Sequence, residues 1–403
     1  MNTDLFVPAF ADPAGSPIRE LFPYLSKPGI ISFAGGYPSP SLFDADGLQA
    51  STTRVMSQGA GILQYGATEG VPALKEELLK LSASRGVLGA PERLLVSTGS
   101  QQAFDLLVRI FVQPGDTVLL EVPAYPAAIQ ALRLAGASIV EIPMDADGLQ
   151  TEALGAILRS LTVGTKPKLL YTVPTFSNPR GTLMPGARRA ELVALANRFG
   201  FFIIEDDPYG ELAFTDVRPE PLFVYGARLG DENPVIYLSS LSKTVAPALR
   251  VGWMIGPPDV VRRCAVAKQT VDLCTSPIAQ LIAADYLRSG RYPSTVYAAC
   301  DEYRRRADAM AESLSTSLGD AIAFRKPAGG MFLWVDSTVA IDPKAVFQAA
   351  VDEGVLFVPG SAFHPSVPKQ QSMRLSFAAP TVAQIREGVA RLARAFHNQT
   401  ITE

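Results

Sequence analysis

Between residues 94 and 256 short apolar runs recur along the chain with helical stretches between them. The runs LLVS (94–97), TVLLEV (117–122), SIVEIP (138–143), KLLYTV (168–173), FFIIED (201–206), VIYLSS (235–240) and VGWMIG (251–256) are apolar at nearly every position. That pattern suits strands covered on both faces, where alternate side chains enter two different cores. Segments such as SQQAFDLLVRIFV and ARRAELVALANRFG carry helical spacing instead. Strand and helix in alternation predict an α/β fold, a mostly parallel seven-stranded sheet flanked by helices.

Beyond about residue 290 the pattern changes. A long charged helical stretch, STVYAACDEYRRRADAMAESLSTSL, precedes the short apolar runs AIAFRKP, MFLWVD, VLFVP and MRLSF, with helical patterns DPKAVFQAAVDEG and TVAQIREGVARLARAF around them. We read this as a smaller α+β unit over 289–403. The Pro- and Gly-rich 1–45 reads as an arm packing with it, and 46–288 as the large domain.

Composition narrows the possibilities. With 403 residues, 48% hydrophobic and 19% charged, the chain holds enough apolar material for an extensive core. Lys plus Arg number 36 against 39 Asp plus Glu, a net charge of -3, so there is no basic field for nucleic acid. No apolar stretch reaches a membrane span, and the N-terminus has none of a signal peptide's pattern, which points to a cytoplasmic protein. Cys264, Cys274 and Cys300 are too few for a disulfide framework and lack zinc spacing; they read as buried small hydrophobes. His364 and His397 read as structural or solvated, and no metal-ligand cluster occurs.

Polar residues gather at the ends of the expected strands, where open α/β sheets bind ligands. STGSQQ places Ser97, Thr98, Gly99, Ser100 and Gln101 between a strand and a helix, fit either for a phosphate or for an ordinary serine cap. EDDPYGEL sets Asp206, Asp207 and Tyr209 after another strand, and SNPRG presents Asn178 in a turn. Ser240, Ser242, Lys243 and Arg250 fall between two buried strands, where a desolvated lysine becomes a nucleophilic amine and Schiff-base former; the plain alternatives are a solvated surface lysine at 243, a helix cap at Asp206 and a turn residue at Asn178.

These residues carry a resemblance. ISFAGGYPSP, QYGATEGVPALKE, STGSQQAFDLL, VPAYP, VPTFSNPRG, EDDPYGEL, SLSKTVAPALRVGW, PAGGMFLWV and MRLSFA stand in the order found in fold-type I, pyridoxal-phosphate-dependent aminotransferases of class I/II. Within these the chain resembles the 2-aminoadipate and kynurenine aminotransferase group, which also supplies the C-terminal domain of MocR-type regulators. The resemblance implies that Lys243 is the Schiff-base lysine and moves the proton between the substrate Cα and the cofactor's C4′. It implies that Asp206 pairs with the pyridine nitrogen, that Asn178 and Tyr209 bond the ring's O3′ and that Tyr125 stacks on the ring. Ser100, Gln101, Ser240, Ser242 and Arg250 would hold the phosphate, joined by Tyr65 from the neighbouring subunit of a homodimer. Arg374 would bind the substrate α-carboxylate. Arg19 would greet a distal carboxylate, with Gly36 and Tyr37 lining the side-chain pocket, Tyr37 replacing the family's usual leucine. Tyr125 also fits a core aromatic, Tyr65 a plain interface residue and Arg19 a solvated arm residue.

Three functions are consistent with this reading. The first is transamination between an L-amino acid and a 2-oxo acid such as 2-oxoglutarate. The second is a lyase or decarboxylase on the same scaffold. The third, a cofactor-binding sensor domain, is disfavoured because only about thirty residues precede ISFAGG, too few for a winged-helix domain.

Overall fold

The computed structural model describes residues 5–399 except 12–14, 26, 163–164, 217, 231–232 and 369–370. After a two-residue strand β1 (Ile31–Ser32) come the strands of the large sheet: β2 (Leu94–Ser97), β3 (Thr117–Val122), β4 (Ser138–Asp145), β5 (Gly148–Leu149), β6 (Leu169–Thr172), β7 (Phe202–Asp206), β8 (Val235–Ser240) and β9 (Gly252–Ile255). Their order across the sheet is β2-β9-β8-β7-β6-β3-β4-β5. The seven expected strands are present, and the two-residue β5 adds an eighth by folding back antiparallel on β4.

Alternation explains the near-continuous apolar runs. Val118, Leu120, Leu169, Tyr171, Ile204, Ile236 and Leu238 enter one core. Leu119, Leu170, Ile203, Val235 and Tyr237 enter the other. The helix Ser100–Phe111 closes the first core with Ala103, Phe104, Leu107 and Val108. The helix Gly186–Phe199 closes the second with Leu192, Val193 and Ala196. Burial of a Leu- or Val-sized side chain contributes roughly 1.5–3 kcal/mol, so these two cores dominate the favourable side of folding.

Strands β3, β4, β6, β7 and β8 run parallel to one another. Strand β9 runs against both β8 and β2. Only residues 241–251 connect β8 to β9, with no crossover helix of the kind a parallel pair requires. Because β2 and β8 both oppose β9, they point the same way, and the C-terminal ends of β2, β3, β6, β7 and β8 meet the start of β9 at one edge.

A second sheet of β10 (Ile322–Phe324), β11 (Phe332–Ser337), β13 (Val358–Pro359) and β14 (Ser372–Ser376) is antiparallel, ordered β10-β11-β14-β13. The helices Tyr292–Leu318 and Val382–His397 pack on each other beside it. Strand β12 (Val355–Leu356) pairs parallel with β1, tying the early chain to this region. Among the described residues no helix is long and apolar enough to cross a membrane.

Candidate active site

A cavity of about 270 Å³ opens where those strand ends converge. Ser100, Gln101, Tyr125, Asn178, Asp206, Tyr209, Ser240, Ser242, Lys243, Arg250 and Arg374 line it, and so do Gly36 and Tyr37. Ile18, Val173 and Tyr171, which the sequence reading passed over, line it too. Arg19 does not: it is exposed in the short turn Arg19–Leu21, although its charge is felt at the Tyr125 hydroxyl. Tyr65 also lies outside, 77% exposed in this chain.

One wall is an anion cradle. Gly99, at φ +85°, is the N-cap of Ser100–Phe111 and offers no capping side chain, so the first N–H groups of that helix stay open. The alternative of Ser100 as a cap therefore fails: it is the first helical residue. Arg250, itself at φ +51°, donates to the Thr98 carbonyl at 2.9 Å, which holds its guanidinium over this turn. The Ser240 and Ser242 hydroxyls lie 2.8 Å apart beside it. A Cβ on Gly252 would sit 2.5 Å from the Gly99 backbone, so this close approach of β9 to the turn requires glycine.

The opposite wall holds titratable groups that make no direct ion pair among the described residues, though Lys243 and Asp206 feel each other's charge. Lys243 Nζ donates to the Gly36 carbonyl at 2.8 Å, and burial, reinforced by the Arg374 and Arg250 charges, lowers its pKa to about 8. Asp206 is buried; its Oδ2 accepts from the Tyr171 hydroxyl at 2.8 Å, while Oδ1 is buried without a hydrogen-bond partner. Burial raises its pKa to about 6, partly offset by the Tyr171 and Ser100 hydroxyls. Arg374 is fully buried between the rings of Phe332 and Phe363, 4.3 and 5.0 Å from their centroids. It donates to Asn178 Oδ1 at 2.8 Å and to the Ala34 carbonyl at 2.6 Å, leaving Nε unpartnered. Burial brings its pKa down to about 10, so it stays charged near neutrality. A Cβ on Gly36 would come within 3.3 Å of Phe332, which keeps this corner close-fitting.

A larger cleft of about 740 Å³ lies beyond the Asn178–Gly181 turn. Its surface cations are engaged, Arg325 with Asp147 and Lys326 with Asp308, and among the described residues no buried lysine lines it, the buried Arg189 being held by the Met184 and Pro174 carbonyls. Among the described residues no cluster could hold a metal ion. Cys264 is buried while Cys274 and Cys300 are half-buried, a looser placement than the sequence suggested, and burial pushes the Cys264 thiol up to about 12 and Cys300 to about 11.

A buried amine, a carboxylate with one unpartnered oxygen, an anion cradle and a buried guanidinium share one cavity and together make a site for an anionic cofactor and a carboxylate-bearing substrate. The chain belongs to the family Aminotransferase class I and II, whose model matches residues 43–392. It is 38% identical over 381 residues to aromatic-amino-acid aminotransferase 1 of Thermococcus litoralis, covering 94% of this chain and 90% of that one. It is 36% identical over 392 residues to the 2-aminoadipate transaminase of Thermus thermophilus, covering 96% of each. The solved kynurenine aminotransferase of Pyrococcus horikoshii, in complex with PMP, superposes with a TM-score of 0.92 at 37% identity, covering 98% of this chain and 97% of that one. The chain is a pyridoxal-phosphate-dependent aminotransferase of fold type I, and the open N–H groups, the free Asp206 oxygen and the desolvated Lys243 fit that cofactor.

Proposed function

We propose that this enzyme moves the amino group of a large L-amino acid, aromatic or 2-aminoadipate-like, to 2-oxoglutarate or a similar 2-oxo acid, using the cavity around Lys243. The convergence of Lys243, the free Asp206 oxygen and Arg374 in one cavity carries this reading. When bound, pyridoxal phosphate supplies an aldehyde for amines and a ring that accepts electrons from the substrate's α-carbon. Lys243 holds the cofactor and, when free, its Nζ takes the α-proton, a task suited to an amine near neutrality. Asp206 would pair with the ring nitrogen and keep it charged. Asn178 and Tyr209 would hydrogen-bond the ring hydroxyl, and Tyr125 would stack on the ring. Ser100, Gln101, Ser240, Ser242 and Arg250 would hold the phosphate by charge-assisted hydrogen bonds. Arg374 orients the substrate by its α-carboxylate, and a buried guanidinium with an unpartnered Nε gains from that pairing.

Gly36 and Tyr37 border the side-chain pocket, and Arg19, which lies outside the cavity beside Ile18, would have to turn inward to meet a distal carboxylate. The chain divides into the arm 1–45, the large domain 46–288 and the small domain 289–403, with the cavity at their junction. It acts as a cytoplasmic homodimer with shared sites. Leu63, Tyr65 and Leu273 are exposed apolar residues on neighbouring segments, since Gly66 packs against Pro277 and Asp272 bonds Thr98 at the edge of the anion cradle. A second copy covering them would bring its Tyr65 toward the phosphate.

The test is an absorbance titration of purified protein with a panel of L-amino acids, followed by 2-oxoglutarate. Loss of the yellow band with a donor and its return with the oxo acid is the expected half-reaction, and the ranking of donors gives the substrate class. A yellow band that no amino acid discharges would rule transamination out.

A further inference from the structure

Asp206 has one short side-chain hydrogen bond, from Tyr171, with the Ser100 hydroxyl acting on it as well. Its Oδ2 takes the Tyr171 hydroxyl at 2.8 Å, and its Oδ1, buried and unpartnered, belongs to a carboxylate that lines the cavity. Tyr171 stands on β6, the strand next to Asp206's β7, and is 1% exposed. Its ring packs against Phe104, centroids 4.7 Å apart, so the phenol is held from below while its hydroxyl reaches the carboxylate. A phenylalanine would fill the same apolar space; the hydroxyl has its use in the contact with Asp206. Burial holds that hydroxyl protonated, so it is the donor and Asp206 the acceptor.

We propose that Tyr171 is a positioning residue for cofactor chemistry: by donating to Oδ2 it fixes the rotation of the Asp206 carboxylate, keeps it ionised, and leaves Oδ1 as the oxygen that meets the ring nitrogen. This rests on the reading of Asp206 as the partner of that nitrogen. A hydrogen bond to a charged group contributes enough for its loss to weaken a dependent equilibrium by roughly ten- to a hundredfold. Without the Tyr171 hydroxyl the acid shifts toward its neutral form, with the Ser100 hydroxyl and the Lys243 charge left to oppose that shift, and the neutral form cannot hold a positive charge on the ring.

The test reconstitutes the apoprotein with pyridoxal 5′-phosphate carrying ¹⁵N in the ring, in the unsubstituted protein, Tyr171→Phe, Asp206→Asn, the double variant and Phe104→Leu. The readouts are the cofactor Kd and the ¹⁵N chemical shift, which reports ring protonation independently of turnover. The unsubstituted protein is expected to show a protonated nitrogen. Tyr171→Phe is expected to raise the Kd roughly tenfold or more and move the shift toward the neutral value. On the Asp206→Asn background it should add little, since its partner is already gone. Phe104→Leu, which loosens the packing but keeps the donor, should leave the shift alone. A Tyr171→Phe protein with unchanged shift and Kd would overturn the proposal, as would a Phe104→Leu shift of equal size. An unprotonated nitrogen in the unsubstituted protein would instead sink the reading of Asp206 itself, and the proposal with it.

Discussion

Asp206 and Asp207 are neighbours in sequence at the end of one strand, and they meet opposite fates. Strand alternation turns Asp206 into the cavity, where no ion pair reaches it among the described residues, and one oxygen is free. Asp207 turns to the far side, where Arg85 pairs with it at 2.5 Å and the Tyr237 hydroxyl bonds it at 3.2 Å. Arg189 and Glu205, 3.6 Å apart with both side chains buried, continue that rear layer, and Glu205 also accepts from the Leu222 and Phe223 N–H groups. Charge on the rear side is met by ion pairs within the chain, although Asp207 Oδ1 and Arg189 Nη1 make no hydrogen bond there; charge in the cavity has no such pair and is left to be answered by a ligand. The first arrangement makes stability depend on the pair, and the second makes function depend on the vacancy of an acceptor.

Substitutions on each side should separate these dependences. Lys243→Ala should lower the transamination rate by about 10⁴-fold or more, the scale at which enzymes lose a nucleophile or base, and the protein should lose its yellow band on desalting. Its apoprotein should melt no lower than the parent, because a buried amine has been removed. Steady-state rates and a thermal melt check both halves, and a Lys243→Ala enzyme that keeps even a tenth of the activity breaks the comparison.

Arg85→Ala should do the reverse. Stranding the buried Asp207 carboxylate should cost about 3–5 kcal/mol in denaturant unfolding, with the cofactor Kd of the folded fraction near that of the parent. Arg85→Met with Asp207→Leu should recover most of the loss, since the charge goes with its partner. If the double variant unfolds as readily as the single one, the rear layer is not an ion-pair layer in the energetic sense.

The pH dependence of cofactor capture sharpens the cavity side. Only neutral Lys243 attacks an aldehyde, and burial lowers its pKa from the usual lysine value of 10.5 to about 8. Stopped-flow binding of pyridoxal phosphate to apoprotein should therefore speed up roughly tenfold per pH unit below 8 and level off above it. A rate still rising at pH 10 would mean the amine is not desolvated. The smallest effect belongs to Arg19, which is exposed: Arg19→Ala should raise the KM for 2-oxoglutarate by a few-fold at most, consistent with about 1 kcal/mol for a solvent-exposed charge. An unchanged KM removes it from the pocket.

Much of this architecture was legible because two-sided burial writes itself into the chain. The runs 94–97, 117–122 and 235–240 coincide with β2, β3 and β8, since each strand feeds both cores along its length. Strand direction was not legible, because an apolar run reads the same either way; the short link 241–251 was the available clue to β9. The strand β5 escaped as two residues after a turn. In the site, residues after strands announced themselves by polarity, whereas Tyr171 sat inside KLLYTV and read as filling, its hydroxyl noticed only once Asp206 was beside it. Tyr65 and Arg19 depend on what faces the chain from outside, which local pattern does not encode.

The reversed direction of β9 has a kinetic side. Ser240, Ser242, Lys243 and Arg250 lie within eleven residues, so one β8–β9 hairpin carries much of the site as a local unit whose loop closes at small entropic cost. The Gly99–Ser100 turn that completes it is about 140 residues away in sequence and docks against Gly252 across a long span, the slower kind of contact to form. The nucleophile is thus assembled with its neighbours early in the chain's search, and the phosphate cradle is the part that waits for the rest of the fold.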